Sequence, residues 1–567
     1  MLLGNIGFMK LNYVWLLVLA AGFACTPKLY ANPGNFTVDT LVTFVDALAS
    51  PFNKVKPGDT IFFVPGNRNY LLIGNFLGSK ENPIVFMNKD GVVNIHTEHY
   101  FGISIQNCRF VRLTGSGSET EFYGIKISGV HNGAGIGIND LSSDFEIDHI
   151  SIENTSIGGI YAKTDPDCSF TSTRGNFTQY NTLIHDNYIA NVGDEGMYVG
   201  STKYFGQNVR CADKDTLLLP SLLDGVRIYN NIIKYTGWDG IQVSSASKDC
   251  QIYDNLIMFD SQRGTFAQMS GIILGGGSKC DCYNNVISQG KGGGIESHGL
   301  GGSRIFNNII VDAGLTYYPL DTSLMKYGIY VTDISVEADS SFYIMHNNII
   351  NPKSDGIRFV STLSKGSVIS SNIIINPGTY DYYEHLHTSF KGIDSYVMLP
   401  DSTSDVLVSN NYFSRNTDSV GFEPSGFALT EHSPLIDAGY NDLKGIDIDA
   451  FRNPRVYGIL PDIGAIEFNP KYSSVYNREK GFEIKPVLFP NPVKTLLSIQ
   501  FRSTIESMVT LGIYNLTGKR EMSTHVFSEK DEECNVSINV ETLNPGVYIY
   551  QLGTLQYKVS GKFIKVD

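Results

Sequence analysis

Short runs of alternating apolar and polar residues recur between residues 184 and 413, and each run is marked by an asparagine. A large apolar residue follows two positions after the asparagine, and another apolar residue precedes it by three. The nearest marks are 23 or 24 residues apart, a period typical of a solenoid built from coils of short parallel strands. The marking residues are Asn187, Asn231, Asn255, Asn285, Asn308, Asn348, Asn372 and Asn411.

Residues at equal offsets from these asparagines are expected to stack on neighbouring coils, about 4.8 Å apart. We interpret the asparagines as scaffold whose amides bond along the stack, at a turn where asparagine tolerates left-handed backbone angles. A glycine followed by a short apolar strand is the second landmark of each coil. The landmark glycines are Gly196, Gly240, Gly271, Gly294, Gly328, Gly356 and Gly392.

The glycines predict which side chains leave the solenoid. If the residue after each glycine points inward, the next one points outward. Two residues further along, His298 is outward on the strand of Glu296. The predicted outward column is Tyr198, Gln242, Ile273, Glu296, Tyr330, Arg358 and Asp394.

Insertions occur on both sides of this strand. The coils that begin at Asn255, Asn308 and Asn372 have longer connections to the glycine, and residues 203–223 form another insertion. Such loops would flank a groove over the outward column, and connections longer than a fold requires are often functional. Residues 380–387, rich in tyrosine and histidine, are the best candidate for one side of the groove.

Charge and the N-terminus restrict the function class. The 567 residues carry a formal net charge of −14, which argues against nucleic-acid binding because phosphate neutralisation needs a basic surface. Lys10 and the apolar run 14–21 form a signal-peptide pattern over residues 1–31, with Met9 as an alternative start and Cys25 as the lipid-attachment alternative. No later segment is apolar enough to span a bilayer.

The cysteines suggest one bridge. Cys168 and Cys211 flank an irregular stretch and are disulfide candidates, which an exported protein can hold. Cys250 and Cys280 occupy one inward position on adjacent coils, and we interpret them as small buried apolar residues rather than as a disulfide.

The pattern divides an all-β chain into parts. Residues 32–432 are expected to form a parallel β-helix whose N-terminal cap includes a short helix near residues 46–49. Residues 433–470 interrupt the repeat and are interpreted as its closing segment, followed by a linker at 471–485. Residues 486–567 contain short alternating strands, of a size suited to a small β-sandwich.

The tail carries four motifs: Phe-Pro-Asn-Pro at 489–492, Ile-Tyr-Asn-Leu-Thr-Gly-Lys at 513–519, Leu-Asn-Pro-Gly-Val-Tyr at 543–548 and Gly-Lys-Phe-Ile-Lys-Val-Asp at 561–567. It resembles the C-terminal sorting domain of type IX secretion cargo in Bacteroidetes. The resemblance implies contact with the type IX machinery, a secreted or surface-attached location, and removal of this domain on export. An immunoglobulin-like carbohydrate-binding module is the alternative for these residues.

The body resembles the pectate-lyase-like right-handed parallel β-helix superfamily. Pro-Gly-Asp-Thr-Ile at 57–61 and Glu-Asn-Pro-Ile-Val-Phe at 81–86 are similar to the opening of chondroitinase-B-like and alginate-lyase-like proteins. The resemblance implies a right-handed coil, a polysaccharide partner and, in the lyases, bound Ca²⁺. His298-Gly299 matches one part of the galacturonase pattern, but no Arg-x-Lys follows.

We expect the chemistry on the middle coils. A glycosidase needs two carboxyl groups across the bond, whereas elimination needs a base and a cation that stabilises the enolate. The candidate catalytic residues are Glu296, His298 and Asp239. The candidate substrate-binding residues are Trp238, Gln242, Lys326, Tyr330 and Arg358. The candidate metal ligands are Asp194 and Glu195.

The sequence therefore predicts an exported protein that degrades or binds a polysaccharide in a groove, as a lyase or a glycoside hydrolase. A non-catalytic surface protein for glycan binding or adhesion is the alternative. In that case Glu296 is a solvated carboxylate, His298 bonds to a neighbouring coil, and the acidic residues before the glycines are ordinary turn formers.

Overall fold

The computed structural model describes residues 34–314, 326–378, 396–399, 405–423, 426–470, 482–503, 507–515, 520–554 and 558–566. Most of the described chain up to residue 414 is a parallel β-helix in which successive strands of each coil join three long sheets. We call them sheets 1, 2 and 3, in the order in which a coil visits them. The expected signal peptide and the loop 380–387 lie outside the described residues.

Sheet 1 has 13 strands: Asn35–Val38, Thr60–Phe63, Ile84–Asn88, Arg109–Thr114, Ser143–Asp148, Thr178–His185, Leu222–Tyr229, Ala246–Tyr253, Cys280–Tyr283, Ser303–Phe306, Phe342–Met345, Ser367–Ser370 and Val406–Ser409. Sheet 2 follows the asparagine turn and has 12 strands: Gly66–Arg68, Val93–Thr97, Ile125–Val130, Ile150–Thr155, Tyr188–Val192, Ile232–Thr236, Leu256–Met258, Val286–Ser288, Ile309–Val311, Asn348–Ile350, Ile373–Ile375 and Tyr412–Ser414. Sheet 3 follows the landmark glycine and has 12 strands: Phe44–Asp46, Leu71–Gly74, Phe101–Gln106, Ala134–Asn139, Ile160–Ala162, Met197–Val199, Ile241–Val243, Ser270–Leu274, Gly293–Ser297, Ile329–Val331, Ile357–Phe359 and Val397–Met398.

One apolar core runs along the inside of the three sheets, from Val38 to Val397. The inward residues stack in register, as Ile184 pairs with Ile228 and Ile228 with Ile252, and all three are fully buried. A single coil cannot bury its own inward side, so each coil is stabilised by its neighbours. The solenoid predicted from the 23- to 24-residue period is confirmed.

The asparagine ladder forms as expected through most of the stack. Asn255 Nδ2 donates to Asn285 Oδ1 at 3.0 Å and to the carbonyl oxygens of Ile228 and Tyr253. Asn231 Nδ2 makes the same bond to Asn255 Oδ1. Each buried amide therefore connects its own coil to both neighbours.

One rung of the predicted ladder was wrong by one residue. Asn308 donates to Asn347 and Asn347 to Asn372, whereas Asn348 accepts a hydrogen bond from the backbone of Ala465. Core packing determines which of the two adjacent asparagines joins the ladder, because a one-residue slip turns every side chain of a strand to the other side. With Asn347 in the ladder, Ile349 enters the core in register with its neighbours.

The left-handed residue of this turn is the one before each ladder asparagine, not the asparagine itself as we expected. Its φ lies between 50 and 56° in every such turn. Asparagine and aspartate, which tolerate this region best, hold six of the eight positions. These residues are Asp186, Asn230, Asp254, Asn284, Asn307, His346, Ser371 and Asn410.

The described residues contain two disulfides. Cys168–Cys211 confirms the predicted bridge. Cys250 and Cys280 are also bonded, which corrects their interpretation as free apolar residues. They are direct register partners on neighbouring strands with Cα atoms 4.5 Å apart, within the range that a disulfide spans.

The two ends of the β-helix differ from what the sequence predicts. Phe44–Asp46 is a strand of sheet 3, so the helix expected near residues 46–49 is wrong, and a 3₁₀ helix occurs instead at Phe52–Lys54. A second 3₁₀ helix, Thr417–Val420, leads into a segment that buries apolar side chains against the outer side of sheet 2. Residues 420–468 therefore cover the side of the last coils rather than extending the stack.

The C-terminal part is a sandwich of two antiparallel sheets around its own apolar core. One sheet contains Phe482–Phe489, Leu496–Ser503 and Glu533–Asn539. The other contains Arg520–Ser528, Ser507–Tyr514, Gly546–Gly553 and Lys558–Lys565. The sandwich contacts sheet 2, where Lys234 Nζ lies 2.8 Å from Glu529 Oε1. Within the described chain, no helix has the length and hydropathy needed to cross a bilayer.

Candidate functional site

The outward column of sheet 3 lies in register as the glycines predict. Its consecutive side chains are Tyr161, Tyr198, Gln242, Ile273, Glu296, Tyr330 and Arg358. Met398 takes the next place, and Asp394, which was expected there, lies outside the described residues. Sequence reasoning missed Tyr161, although Gly159-Ile160-Tyr161 repeats the glycine spacing.

Loops flank this column on both sides. The connections 163–177 and 200–221 lie between sheets 3 and 1, and the Cys168–Cys211 disulfide joins them. The second carries a hairpin of Gln207–Cys211 and Lys214–Leu218. On the other side, the connection 259–269 is fixed by Arg263 Nη1, which lies 2.9 Å from Asp194 Oδ1. The column thus forms the floor of a groove.

Glu296 and His298 form a close pair on this floor. His298 Nε2 lies 3.4 Å from Glu296 Oε2, and the two side chains are only 19% and 20% exposed. His298 Nδ1 lies 2.8 Å from Thr332 Oγ1 on the next coil. The imidazole is therefore held between a carboxylate and a hydroxyl, an arrangement that orients a histidine for proton transfer.

The protonation state of Glu296 is set by opposing effects. Burial alone would raise the pKa of its carboxyl group, but the contact with His298 and the positive charge of Lys326 lower the pKa below its usual value. Glu296 is consequently an anion at neutral pH, next to the imidazole of His298.

Asp239 is on the same side of the solenoid but is closed to solvent. It is fully buried, and its Oδ1 accepts a hydrogen bond of 2.8 Å from Ser270 N. Burial, reinforced by the charges of Glu296 and Glu195, raises the pKa of Asp239 well above its usual range. Asp239 therefore holds a proton, whereas Glu296, two coils away, does not.

Lys326 belongs to the same buried charge cluster. Its side chain is 7% exposed, and burial lowers the pKa of the ammonium group against the attraction of Glu296 and Asp239. Asp260, which sequence reasoning missed, also faces Lys326, and burial raises its pKa to about 6. Only its position two residues after the sheet 2 strand Leu256–Met258 could have indicated Asp260.

Tyr330 and Arg358 continue the floor beyond Glu296. Arg358 Nη1 lies 3.2 Å from the buried carboxylate of Asp355, and its guanidinium lies 5.2 Å from the ring centroid of Tyr327. The ring of Tyr330 meets that of His298 edge-on at 6.3 Å. Burial, partly opposed by Arg358, raises the pKa of Tyr330, so its phenol stays protonated.

The remaining substrate-binding candidates are Trp238 and Gln242, on the coil that lies two coils before Glu296. Trp238 is half-buried, and its carbonyl accepts a hydrogen bond from Ser261 N of the flanking connection. Gln242 is outward, as predicted, but only 5% exposed. Its Oε1 has no hydrogen-bond partner among the described residues. A residue that the register places outward is therefore not necessarily exposed to solvent.

The candidate metal ligands are otherwise engaged. Asp194 pairs with Arg263, and Glu195, 2% exposed, accepts a hydrogen bond of 2.8 Å from the Tyr161 hydroxyl. Burial raises the pKa of both carboxyl groups. In the described part of the groove, no three acidic or histidine side chains bring ligand atoms within 4.8 Å of one another. The donor set for Ca²⁺ that the lyase resemblance implies does not fit these residues.

The one such cluster among the described residues lies on sheet 1, where Glu146, Asp148 and His185 converge. Arg112 Nε already lies 3.1 Å from Glu146 and 2.7 Å from Asp148. The guanidinium supplies the positive charge there, so we interpret the cluster as an ion-pair network.

Two families match parts of the chain. Residues 223–396 match the family described as "Right handed beta helix region", and residues 487–566 match "Secretion system C-terminal sorting domain". No curated protein matches the chain.

Several solved structures are similar to the chain. Pectate lyase Pel9A is 13% identical, with 77% of this chain and 98% of that chain covered and a TM-score of 0.37. XylC in complex with xylose is 10% identical, with 76% and 98% covered and a TM-score of 0.37. The enzymatically active domain of tailspike protein 2 from bacteriophage CBA120 is 11% identical, with 89% and 72% covered and a TM-score of 0.31.

The matched tail assigns the location. A sorting domain of this kind directs export by type IX secretion to the cell surface or the extracellular space. The three stacked parallel sheets and the two family matches together identify the chain as a right-handed parallel β-helix protein that carries a C-terminal secretion sorting domain.

Proposed function

We propose that the protein is a polysaccharide lyase that cleaves a uronate-containing glycan in the sheet 3 groove. The observation that carries the proposal is the Glu296–His298–Thr332 series of contacts, with Tyr330 next to Glu296 on the neighbouring coil. Tyrosine rings suit the apolar faces of sugars. The column spacing of about 4.8 Å per coil gives successive contacts along an extended polymer.

The assigned roles follow from position and charge. His298 removes the proton on the carbon next to the uronate carboxylate, with Glu296 stabilising the imidazolium that forms. The bond from the neighbouring carbon to the glycosidic oxygen breaks, a carbon–carbon double bond forms, and the protonated phenol of Tyr330 donates to the leaving oxygen. Arg358 offers positive charge to the uronate.

Elimination fits this site better than hydrolysis. Hydrolysis uses two carboxyl groups that both reach the sugar, but Asp239 is fully buried, so we assign it a positioning role beside Ser270. Glu296 and His298 are close enough to act together on one proton, which a base and its orienting carboxylate require.

A panel of glycans tests the proposal. The full chain should release unsaturated, ultraviolet-absorbing ends from one or more of polygalacturonate, alginate and chondroitin sulfate, and none from neutral xylan. Replacing His298 with Ala should reduce turnover by about 10²- to 10⁴-fold, and Glu296→Gln should reduce it as well. Glu153→Gln, on sheet 2, is the matched control and should leave turnover unchanged.

Other results would contradict the proposal in distinct ways. New reducing ends without unsaturated product would indicate a hydrolase. Retention of a glycan without any cleavage would indicate the non-catalytic binding protein, the alternative that the closed Asp239 favours.

A further inference from the structure

Two histidines and a glutamate meet on sheet 2, at the N-terminal end of the solenoid and away from the catalytic groove. His96 is on the strand Val93–Thr97, and His131 follows the neighbouring strand Ile125–Val130. Their Nε2 atoms are 3.2 Å apart, and Glu98 Oε1 lies 3.8 Å from His131 Nε2. We propose that His96 and His131 bind a divalent transition-metal ion such as Zn²⁺, Ni²⁺ or Cu²⁺, and that the exposed side chain of Glu98 turns toward the ion as a third ligand.

The spacing of the two nitrogens fits shared ligation. Zn²⁺ holds imidazole nitrogens at about 2.0–2.1 Å in tetrahedral geometry, which separates two such nitrogens by about 3.3–3.4 Å. The two side chains thus reach ligation distance with almost no movement. Imidazole with one carboxylate suits zinc, nickel and copper, whereas Ca²⁺ and Mg²⁺ prefer oxygen donors.

The backbone holds the two rings in place. The pairing of the two strands shifts by one residue between Ile127 and Gly129, which makes Gly129 the partner of His96. A Cβ at Gly129 would lie 2.7 Å from the His96 ring, so the glycine leaves the space that the imidazole occupies. Bulges of this kind re-aim side chains and are frequent next to functional sites.

The other two donors are anchored as well. His131 N donates to the carbonyl oxygen of Thr97 at 3.0 Å, and Asn132 Nδ2 donates to the carbonyl oxygen of Glu98 at 2.7 Å. The three side chains are exposed, so the remaining coordination positions are open to water or to a second ligand.

Metal titration of the full chain, without an affinity tag and after dialysis against chelator, tests the site. Isothermal titration with Zn²⁺ should show one equivalent of ions per chain that His96→Ala and His131→Ala each weaken by about tenfold or more. With Cu²⁺, electron paramagnetic resonance should show coupling to two imidazole nitrogens in the unmodified chain and to one in each variant.

The matched control is His432→Ala. His432 also lies near a glutamate, at 3.4 Å from Glu431, but has no second imidazole beside it among the residues that the structure describes, and its replacement should leave the affinity unchanged. If the unmodified chain bound no Zn²⁺, the proposal would be wrong and the contact between His96 and His131 would be only a hydrogen bond between two imidazoles. Binding that survives both His96→Ala and His131→Ala would also overturn the assignment, and neither outcome bears on glycan cleavage.

Discussion

A ladder asparagine shows how one side chain can join three coils. Asn255 Nδ2 donates to Tyr253 O in its own coil, to Ile228 O and to Asn285 Oδ1. Its Oδ1 accepts from both nitrogens of Asn231. Because the residue is buried, a side chain lacking either end of the amide would leave partners unsatisfied.

Asn255→Ala should lower the free energy of unfolding by about 3–4 kcal/mol, since several buried groups lose their partners together. Urea unfolding of the full chain measures the change. Asn94→Ala is the control, because the Asn94 amide also bonds across coils, to Asn67 Oδ1 at 3.0 Å, but at the exposed surface. That variant should lose less than about 1 kcal/mol, and equal losses in the two variants would contradict the ladder's role.

His185 should make stability depend on pH. Burial alone would lower the pKa of its imidazole, but hydrogen bonds to Asp186 and Glu146 and the charge of Asp148 raise the pKa to about 9. A raised pKa means that the folded chain holds the proton more tightly, so this stabilisation is complete below about pH 6.5 and is lost as pH rises through about 9.

Between pH 6 and pH 10 the unmodified chain should lose about 3 kcal/mol more of its unfolding free energy than His185→Gln does. The difference between the two urea-unfolding curves at each pH isolates this contribution from other titrating groups. Parallel pH profiles for the two proteins would show that His185 is not the responsible group.

At the scale of the strand, the landmark glycines permit close approach between coils. A Cβ at Gly240 would lie 2.5 Å from the carbonyl oxygen of Gly271 and 2.6 Å from Ile257 Cγ2. The sheet 3 strand that follows Gly240 therefore begins where the backbone passes too near its neighbours for a side chain. This close packing sets the point on the coil from which the outward side chains are counted.

Gly240→Ala should destabilise the chain by about 2–3 kcal/mol through overpacking. Gly137→Ala provides the comparison within the same sheet, since a Cβ at Gly137 would meet nothing within 4 Å, and its effect should stay within about 0.5 kcal/mol. Thermal unfolding of both variants checks the contrast. If Gly240→Ala were as stable as the unmodified chain, the coils would be able to move apart at little cost in free energy.

The sequence predicts the strands better than the connections. Glu296 and Tyr330 could be placed outward because strands have a period of two and the glycine spacing is constant. The burial of Gln242 could not be predicted, since it depends on loops whose path the repeat does not specify. The slip at Asn348 has a similar cause: two successive asparagines fit the pattern equally, and only core packing separates them.

In the candidate site, too, the positions of residues on strands could be predicted, whereas the effects of the connections could not. Register predicted that Glu296 and His298 share a strand and that Asp239 lies two coils away. The two side chains do lie close together, but the strand ends at Ser297, one residue before His298. Register could not predict that Asp239 is closed to solvent or that Asp260 joins Lys326, because both depend on how a connection folds over the column.

At the scale of the whole molecule, the sorting domain and the β-helix share a buried cation. Lys234 is 1% exposed on sheet 2, with Glu529 Oε1 at 2.8 Å and the Phe527 ring centroid at 4.0 Å. Tyr188 of the neighbouring coil lies 4.8 Å from the same ammonium group. A desolvated charge of this kind depends strongly on its partners.

Lys234→Ala should loosen the contact between the two domains without unfolding either. Residues 482–485 of the predicted linker 471–485 belong to the strand Phe482–Phe489, so the expected cleavage region is 471–481. Limited proteolysis in that region should then release the tail several times faster than in the unmodified chain. Lys248→Ala is the control, because Lys248 forms an exposed ion pair with Asp224 on sheet 1, and it should leave the release rate unchanged. Equal rates for all three proteins would contradict a held contact.

The position of Lys234 also means that the chain would present different surfaces with and without its sorting domain. Without that domain, a positive charge next to Tyr188 would be uncovered, on a chain that is acidic overall. The two forms would therefore differ in surface charge at this place on sheet 2.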